Sequence, residues 1–352
     1  MFYVGKITGG VDVLIGNGSP NEHVVISGMS GAGKSVRIAD IERHILEQNG
    51  TIIALDINGT HADIGGPSCL HISAQKDGLD FRFLDTSFVK IGQETRSNLV
   101  QYAVETLCPR QLRGACQLAA VYKAMDFAIE NAKDFDCEMD AIANGLKEQD
   151  DAAAVGAYNH LRPILEGQIF RKSRKHIERG KLNVFSLQGL NPKTQKRVSE
   201  IVLSAIWRRL RIEGMCGAKF TLVLDEFQNL DLHKDTAFFQ MLTESRKYGV
   251  NMILATQTLA TFSKKELAII DQAAVKLYFK PSTSDVKTIA ALVDPKHYDR
   301  WVSKLLKLQI GQAITVGDFE VKGRRIIQPI LTYSEFFEAN KVVPVGLKFR
   351  EV

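Results

Sequence analysis

Short apolar runs that end in polar residues or glycine recur along the chain, and stretches with helical periodicity separate them. The apolar runs are EHVVISG, TIIALDI, KLNVFSL, KFTLVLD, VNMILAT and VKLYFKP. Most of these runs are nearly continuous rather than alternating, which is typical of strands in a parallel sheet covered on both faces. The pattern predicts an α/β fold, with a mostly parallel central sheet flanked by helices and right-handed crossovers.

Two kinds of region depart from this alternation. Residues 88–178 show almost only helical patterns, such as GACQLAAVYKAMDFAIENA, and predict an all-helical insertion between two core strands. Near the chain ends, FYVGKIT with VDVLIGN predicts one hairpin, and GQAITVGD with RRIIQPILTY predicts another. The predicted divisions are 1–87 (hairpin and first part of the core), 88–178 (helical insertion), 179–335 (remainder of the core) and 336–352 (C-terminal extension).

The loop GMSGAGKS, which follows the first core strand, matches the phosphate-binding pattern G-x-x-x-x-G-K-[ST] in full. It lies between the strand HVVIS and an amphipathic helix, the context that distinguishes this pattern from an ordinary glycine turn. Glycines let backbone N–H groups surround a β-phosphate, while the lysine reaches the β- and γ-phosphates and the serine hydroxyl ligates Mg²⁺. ATP and Mg²⁺ are therefore the predicted cofactors. The predicted contacts are Gly28, Ser30, Gly31, Ala32, Gly33, Lys34, Ser35 and Val36.

A pair of carboxylates stands at the tip of the apolar strand FTLVLDE. Asp225 is predicted to hold the water shell of the magnesium, and Glu226 to polarise the attacking water. A carboxylate in that place distinguishes hydrolases from P-loop kinases, although an Asp-Glu pair after a strand also occurs as a helix cap beside a solvated acid. Asp56 in ALDINGTH either shapes the site or a subunit interface or caps the following turn, and the turn role is favoured.

The stretch SRKYGVNMILATQT carries polar residues at both ends of one buried strand. The strand ends at the same sheet edge as the phosphates, so Gln257 is a candidate sensor of the γ-phosphate. Arg246 precedes the strand at the opposite edge and is not expected to reach the nucleotide of its own subunit. It is a candidate arginine finger that acts on a neighbouring subunit in a ring. The alternative for Arg246 is a solvated helix end.

Taken in order, these motifs resemble the HerA–FtsK superfamily of ring-forming P-loop ATPases. The matching segments are HVVISGMSGAGKS, IIALDINGTH, LNVFSLQGLN, LVLDEFQNL, TESRKYGVNMILATQT and VKLYFKPSTSDVKTI. NVFSLQGLN and the helical insertion point to the HerA and conjugative (type IV secretion) branch. The resemblance implies a RecA-like core, Mg²⁺-dependent ATP hydrolysis and a homo-oligomer, a hexamer. It implies that Arg246 is the trans-acting finger and Gln257 the sensor, so that the predicted catalytic residues are Lys34, Glu226, Gln257 and Arg246.

Three departures from the family pattern bear on the biological role. About 22 residues precede the first core strand, where HerA-like proteins usually carry a β-barrel. The second-strand motif ends in DINGTH and lacks the acidic residue often found there. No membrane segment of the kind found in coupling proteins is predicted.

Composition adds the cellular setting. The chain is 45% hydrophobic and 24% charged, and its five cysteines are scattered without metal-ligand spacing, which suits a reducing cytosol. The N-terminus has no signal-peptide pattern. A cytoplasmic location is therefore expected, with recruitment to a membrane only through partners.

Positive charge is concentrated in one part of the chain. The net charge is only +5, but residues 171–213 contain twelve Lys or Arg and three acids. This stretch is either a solvated basic face or the footprint of a polyanion. By the resemblance, loops near Lys193, Lys196 and Arg197, and those after Asn229, face the channel and contact DNA phosphates without reading bases.

Three functions remain open at this point. The favoured one is an ATP-driven hexameric ring that translocates DNA in conjugative transfer, mobile-element movement or DNA processing. The second is an ATPase that energises protein export or pilus assembly with membrane-associated secretion partners. The third is a P-loop kinase or nucleotide switch, which predicts a monomer and no need for Glu226.

Overall fold

The strands of the protein belong to one mixed sheet. The computed structural model describes residues 2–61, 66–82, 84–108, 114–214 and 219–335. Within these ranges the strands are β1 (Tyr3–Ile7), β2 (Val11–Ile15), β3 (Val24–Ser27), β4 (Ile52–Asp56), β5 (Cys69–Ser73), β6 (Leu182–Ser186), β7 (Phe220–Leu224), β8 (Val250–Thr256), β9 (Val275–Tyr278), β10 (Gln312–Gly317), β11 (Phe319–Val321), β12 (Arg324–Ile326) and β13 (Ile330–Tyr333).

Helices connect the central strands and cover the sheet. Those of the described residues are α1 (Lys34–Glu47), α2 (Ser87–Lys90), α3 (Arg96–Leu107), α4 (Ala115–Glu130), α5 (Glu138–Lys147), α6 (Ala152–Leu165), α7 (Pro192–Glu213), α8 (Ala237–Glu244), α9 (Lys264–Ile270), α10 (Val286–Val293) and α11 (Tyr298–Leu306). Short 3₁₀ segments occur at Phe227–Asn229, Ser245–Tyr248 and Pro295–His297.

The central part of the sheet is parallel, as predicted. Its order is β9-β3-β8-β7-β4-β6-β5, and each neighbouring pair in this series runs in the same direction. The sheet continues beyond β9 as β10-β13-β1-β2-β11-β12, where neighbours are antiparallel. Because parallel strands end at one edge, the segments after β3, β7 and β8 converge there. β8 lies between β3 and β7.

The terminal hairpins take a more elaborate form than the sequence predicts. The N-terminal pair β1–β2 forms as expected and joins the sheet through β13. In the tail, β10 pairs with β13, but the predicted second strand RRIIQPILTY is split in two. Pro329 lies at the break, where a missing N–H prevents continuous pairing. The first half, β12, pairs with β11 instead.

Strand β5 was not predicted. It runs parallel to β6 as the last strand on this side of the described sheet. Its sequence CLHIS mixes apolar and polar residues, and four of its five residues are only half-buried, as suits a strand with one neighbour. It therefore lacks the continuous apolar run of the other core strands. Three strands, β4, β5 and β6, therefore lie along the chain between α1 and β7.

The prediction that residues 88–178 are almost wholly helical is wrong for the last part of that range. Helix α6 ends at Leu165, and β6 begins at Leu182. The intervening basic segment lies along the β5 side of the sheet, where Arg171 donates to the carbonyls of Gln75 and Lys76 and Lys175 donates to that of His71. These contacts to distant backbone carbonyls hold the segment in an irregular, non-helical conformation.

The helices between β5 and β6 share a hydrophobic core with the sheet. Val121 and Ile142 of the insertion belong to the same buried cluster as Leu222 of β7 and Trp207 of α7. Arg208 of α7, only 8% exposed, also forms an ion pair with Glu94, which precedes α3. The insertion is therefore packed against the core as a part of it. The domain limits remain a prediction.

A buried arginine joins the phosphate-loop helix to the antiparallel strands. Arg37 of α1 is fully buried, and its guanidinium donates to the carbonyl of Val4 at 2.9 Å and to the hydroxyls of Thr332 at 3.0 Å and Ser334 at 3.1 Å. A Cβ at Gly5 would lie 2.5 Å from this guanidinium, so the close approach requires glycine. These bonds fix α1, and with it the loop before α1, relative to both chain ends of the described structure.

Candidate active site

The loop GMSGAGKS connects the end of β3 to the start of α1. Gly31 and Gly33 have positive φ values of 75° and 105°, which glycine adopts without strain. A Cβ at Gly28 would lie 2.5 Å from that of Phe279, so this position is also restricted to glycine. Ser30 and Ser35 are exposed, and the N-terminus of α1 points its free N–H groups toward this loop. The loop therefore forms an anion cradle at a helix N-terminus.

The remaining predicted loop contacts divide by exposure. Ala32 is 4% exposed, and its carbonyl accepts from the N–H of Gly311 at 2.9 Å, which holds the loop against the start of β10. Val36 lies half-buried in the first turn of α1. Lys34 is 8% exposed, and its ammonium donates to the carbonyls of Gly28 at 2.7 Å and Met29 at 3.3 Å. These carbonyls hold the Lys34 ammonium over the loop that is predicted to bind the phosphates.

The two carboxylates of the strand tip β7 lie within electrostatic reach of Lys34. Burial lowers the pKa of the Lys34 ammonium, and the charges of Glu226 and Asp225 oppose that shift. Burial, followed by the charge of Glu226, raises the pKa of Asp225, which is 5% exposed. The structure thus brings together the lysine and the carboxylates, which lie 191 and 192 residues apart in the chain.

A serine hydroxyl and one buried carboxylate suit a small, hard cation. Mg²⁺ commonly takes one or two protein oxygens together with phosphate oxygens and water, so Ser35 and Asp225 fit this ion. The described residues contain no group of three His, Cys, Asp or Glu that would form a separate, fully protein-coordinated metal site. The donor set is consistent with a metal that arrives with a nucleotide.

Glu226 is held by two amide side chains. Its Oε1 accepts from Nε2 of Gln257 at 2.6 Å, and its Oε2 accepts from Nε2 of Gln228. The backbone of Glu226 is left-handed, with a φ of 55°, and the residue is 6% exposed. The sequence predicts roles for Glu226 and Gln257 and none for Gln228, which the structure places against Glu226. A neutral amide two residues after the glutamate was the available signal.

Arg246 lies at the sheet edge opposite Gln257. It belongs to the 3₁₀ segment before β8, whereas Gln257 directly follows β8. Since β8 has seven residues and a strand rises about 3.3 Å per residue, roughly 20 Å of strand separates the two. The pKa of His23, which precedes β3, is lowered to about 4 by burial and then by the charge of Arg246. Arg246 is exposed and lies within electrostatic reach of His23 at the start of β3, whereas the phosphate loop follows the end of that strand.

Asp56 caps the turn after β4, the role that the sequence favoured. Its Oδ1 accepts from the backbone N–H groups of Gly59 at 2.8 Å and Thr60 at 2.9 Å. The same turn brings His61, which sequence reasoning missed, to 2.9 Å from Glu42 of α1 through Nε2. His61 and Glu42 are 3% and 2% exposed. This buried carboxylate–histidine pair joins the phosphate-loop helix to the tip of β4.

The charge of His61 predicts a specific dependence of stability on pH. Burial lowers the pKa of His61, but the charge of Glu42 and the hydrogen bonds to Asp56 and Glu42 outweigh burial and raise it to about 10. A raised folded-state pKa stabilises the protein fully below the unfolded value of about 6.5, and this contribution is lost as pH rises through about 10. Between pH 8 and 10 the free energy of unfolding should therefore fall by up to about 1.4 kcal/mol per pH unit because of this pair.

Chemical unfolding at pH 8 and pH 10 tests this dependence. His61→Gln is expected to be less stable than the wild type at pH 8 and to lose less stability between the two pH values. Burial, followed by the charge of Glu42, raises the pKa of the Cys69 thiol to about 11. This thiol adds the same pH dependence of stability to the wild type and to the variant. His176→Gln removes an exposed histidine and serves as the control. Equal pH slopes in all three proteins would show that His61 is not charged in the folded state.

The residues predicted to contact DNA do not form a loop. Lys193, Lys196 and Arg197 lie in the first two turns of α7, which begins at Pro192 after an Asn191 cap. Lys193 and Lys196 are exposed. The side chain of Arg197 is only 18% exposed, because it pairs with Glu200 at 3.0 Å and donates to the carbonyl of Thr106 in α3. Arg197 therefore attaches α7 to the insertion and is committed to internal contacts.

Comparison with known families identifies the chain. A family model described as "Helicase HerA, central domain" matches residues 2–206, more than half of the sequence. The chain belongs to this family. A second model, described as "TraM recognition site of TraD and TraG", matches residues 219–304. Both matches agree with the resemblance to the HerA–FtsK superfamily and to its conjugative branch.

Curated relatives of this HerA-family chain include archaeal helicases. The DNA double-strand break repair helicase HerA of Sulfolobus acidocaldarius is 24% identical over 343 residues, which cover 90% of this chain and 66% of that protein. The protein of the same name from Saccharolobus solfataricus is 22% identical and covers 89% and 65%. The chain therefore spans slightly less than two thirds of the length of these relatives.

Solved structures share the fold of this HerA-family chain. VirB4 of Thermoanaerobacter pseudethanolicus superposes with a TM-score of 0.69 at 18% identity, over 94% of this chain and 96% of that one. The bacterial conjugative coupling protein TrwBΔN70 gives a TM-score of 0.63 at 14% identity, over 89% and 84%. These likenesses confirm the predicted RecA-like P-loop core. In the described part of the chain, helices are too short or too polar to cross a bilayer.

Proposed function

We propose that this protein is a Mg²⁺-dependent ATPase that assembles into a hexameric ring and translocates DNA. The observation that carries the ATPase assignment is the convergence of the phosphate loop, Asp225 and Glu226 at one sheet edge, with both carboxylates in electrostatic reach of Lys34. Family membership supports the choice of a DNA motor. TrwB, which shares the fold, has been solved with a non-hydrolysable ATP analogue and with ADP and Mg²⁺.

The proposed chemistry assigns a separate task to each side chain. Backbone N–H groups of the loop and the Lys34 ammonium bind the β- and γ-phosphates. Ser35 and Asp225 would hold Mg²⁺, which when bound neutralises charge on the phosphate oxygens. Glu226 polarises the attacking water and accepts its proton. Gln257 reports the presence of the γ-phosphate through its amide.

Arg246 completes the site from another subunit in this proposal. Its place at the sheet edge opposite Gln257 supports action in trans, since a side chain does not span roughly 20 Å of strand. The exposed guanidinium would stabilise the charge that develops on the transferred phosphoryl group of a neighbour. A ring supplies one such arginine to every site.

Lys193 and Lys196 are the proposed channel contacts. Both are exposed on the first turns of α7, and Lys196 lies 4.0 Å from Glu200, a long and readily broken ion pair. Arg197 is not among them, because its guanidinium is held by Glu200 and by the carbonyl of Thr106. Cations that track phosphates bind without base preference, as a translocating motor requires. Recruitment to a membrane, if it occurs, would depend on partner proteins.

Stimulation of ATP hydrolysis by DNA tests the proposed function. The rate is expected to rise when duplex or single-stranded DNA is added at about 50 mM salt, and the affinity for DNA is expected to fall by a factor of about ten or more at about 200 mM salt. Lys193→Ala and Lys196→Ala should each reduce, by about one unit, the slope of the logarithm of DNA affinity against the logarithm of salt concentration. Lys264→Ala, an exposed lysine at the start of α9, is the matched control.

Two other outcomes separate the alternatives. ATP hydrolysis that no DNA stimulates at low salt, together with recovery of membrane secretion components in a pull-down, would favour an ATPase for protein export or pilus assembly. A monomer whose turnover does not require Glu226 would favour a P-loop kinase or nucleotide switch.

A further inference from the structure

The carboxylate of Glu226 is unusually enclosed for a group that must accept a proton from water. One oxygen accepts from the exposed Gln257 and the other from the half-buried Gln228, while the residue itself is 6% exposed. A general base must offer an oxygen within hydrogen-bond distance of the reacting water. In the arrangement observed, each oxygen already has an amide partner.

In the resting arrangement the amide of Gln228 turns its nitrogen toward Glu226. Its backbone belongs to the 3₁₀ segment Phe227–Asn229, and Phe227 is fully buried and stacks on Phe262 at a centroid distance of 5.3 Å. Rotating the amide by 180° would place its oxygen against the carboxylate oxygen, so Nε2 must face Glu226. Gln228 therefore presents a hydrogen-bond donor to this side of the glutamate.

This orientation leaves the other half of the amide without a partner. Oε1 of Gln228 is buried and accepts no hydrogen bond from the described residues. A buried acceptor without a donor disfavours the state in which it occurs. The contact to Glu226 thus leaves Oε1 without a donor. A rearrangement that turns the amide away from Glu226 and gives Oε1 a donor would offset part of the cost of breaking that contact.

We propose that Gln228 is a positioning residue that holds Glu226 in a resting position, and that hydrolysis requires the Gln228–Glu226 hydrogen bond to be exchanged for one from the attacking water. Gln228 itself takes no proton. When its bond breaks, the side of Oε2 that Gln228 covers opens to the attacking water, and Oε2 accepts the proton of that water. This role deepens the proposed ATPase function and rests on it.

The rate of ATP hydrolysis without added polymer tests this role. Gln228→Met removes the amide and keeps the approximate length of the side chain. The basal rate is expected to rise about tenfold or more, the factor that corresponds to losing one charge-assisted hydrogen bond from the resting state. The KM for ATP should stay within about twofold, because a group that binds only the glutamate does not bind the phosphates. A purely structural role would leave the basal rate unchanged or lower it.

Controls separate this proposal from the function on which it rests. Asn229→Ala changes an exposed neighbour in the same 3₁₀ segment and should leave the basal rate unchanged. Gln228→Ala provides a second variant if methionine disturbs folding, which nucleotide binding and thermal unfolding would reveal. A Glu226-dependent basal rate that does not rise in either variant would overturn the role of Gln228 alone. A wild-type rate that survives Glu226→Gln would overturn the proposed hydrolase mechanism and this role with it.

Discussion

Replacing Glu226 by glutamine is expected to leave ATP binding intact and to lower the rate of hydrolysis by a factor of about 10² to 10⁴. The substitution keeps the shape of the side chain and removes its capacity to accept a proton. Lys34 and the loop that contact the phosphates are unaltered, so the variant should trap ATP. Nucleotide affinity from a fluorescent ATP analogue and single-turnover hydrolysis measure the two effects separately.

The matched control for this prediction is Glu105→Gln, because Glu105 is an exposed residue of α3 distant in sequence from the site. It should hydrolyse ATP at the wild-type rate. Asp225→Asn provides a contrast, since loss of the proposed magnesium carboxylate should also weaken binding of the Mg²⁺–nucleotide complex. Wild-type turnover in Glu226→Gln would exclude the assignment of Glu226 as the base.

Replacing Arg246 by alanine is expected to retain ATP binding and to reduce hydrolysis about 10³-fold or more, the effect of removing an arginine finger. The guanidinium would act on the site of a neighbour, so its loss removes charge stabilisation in the transition state without removing a ground-state contact in its own subunit. Lys247→Ala is the matched control, because Lys247 is the next exposed residue and pairs with Glu244 at 3.3 Å. Steady-state hydrolysis and nucleotide affinity are the measurements.

Mixed rings distinguish action in trans from a structural defect. Arg246→Ala subunits retain the phosphate loop, and Lys34→Ala subunits retain the arginine. Combining these two inactive variants should restore some hydrolysis at interfaces where an Arg246→Ala site receives Arg246 from a Lys34→Ala neighbour. No recovery in rings shown to be mixed would contradict action in trans. Normal hydrolysis by Arg246→Ala alone would mean that the residue is only a solvated helix end.

Much of the core was predictable because its signals are local. The parallel strands β3, β4, β6, β7, β8 and β9 carry apolar runs that are buried between layers, so their sequences report their environment directly. The phosphate loop was predictable from the spacing of its motif, because its glycines occupy backbone conformations or close contacts that other residues do not tolerate. The strand β5 and the segment after α6 escaped prediction, because one neighbouring strand and contacts to distant carbonyls define them.

By itself the sequence determined the P-loop core, the loop Gly28–Ser35 and the carboxylates at the tip of β7, since residue type and spacing specify all three. Only the tertiary structure decided which of the neighbouring polar groups meet. Glu42 and His61 are 19 residues apart, and Thr106 and Arg197 are 91 apart. Such pairs form because burial makes an unpartnered polar group costly, and the fold alone determines which partner lies within reach.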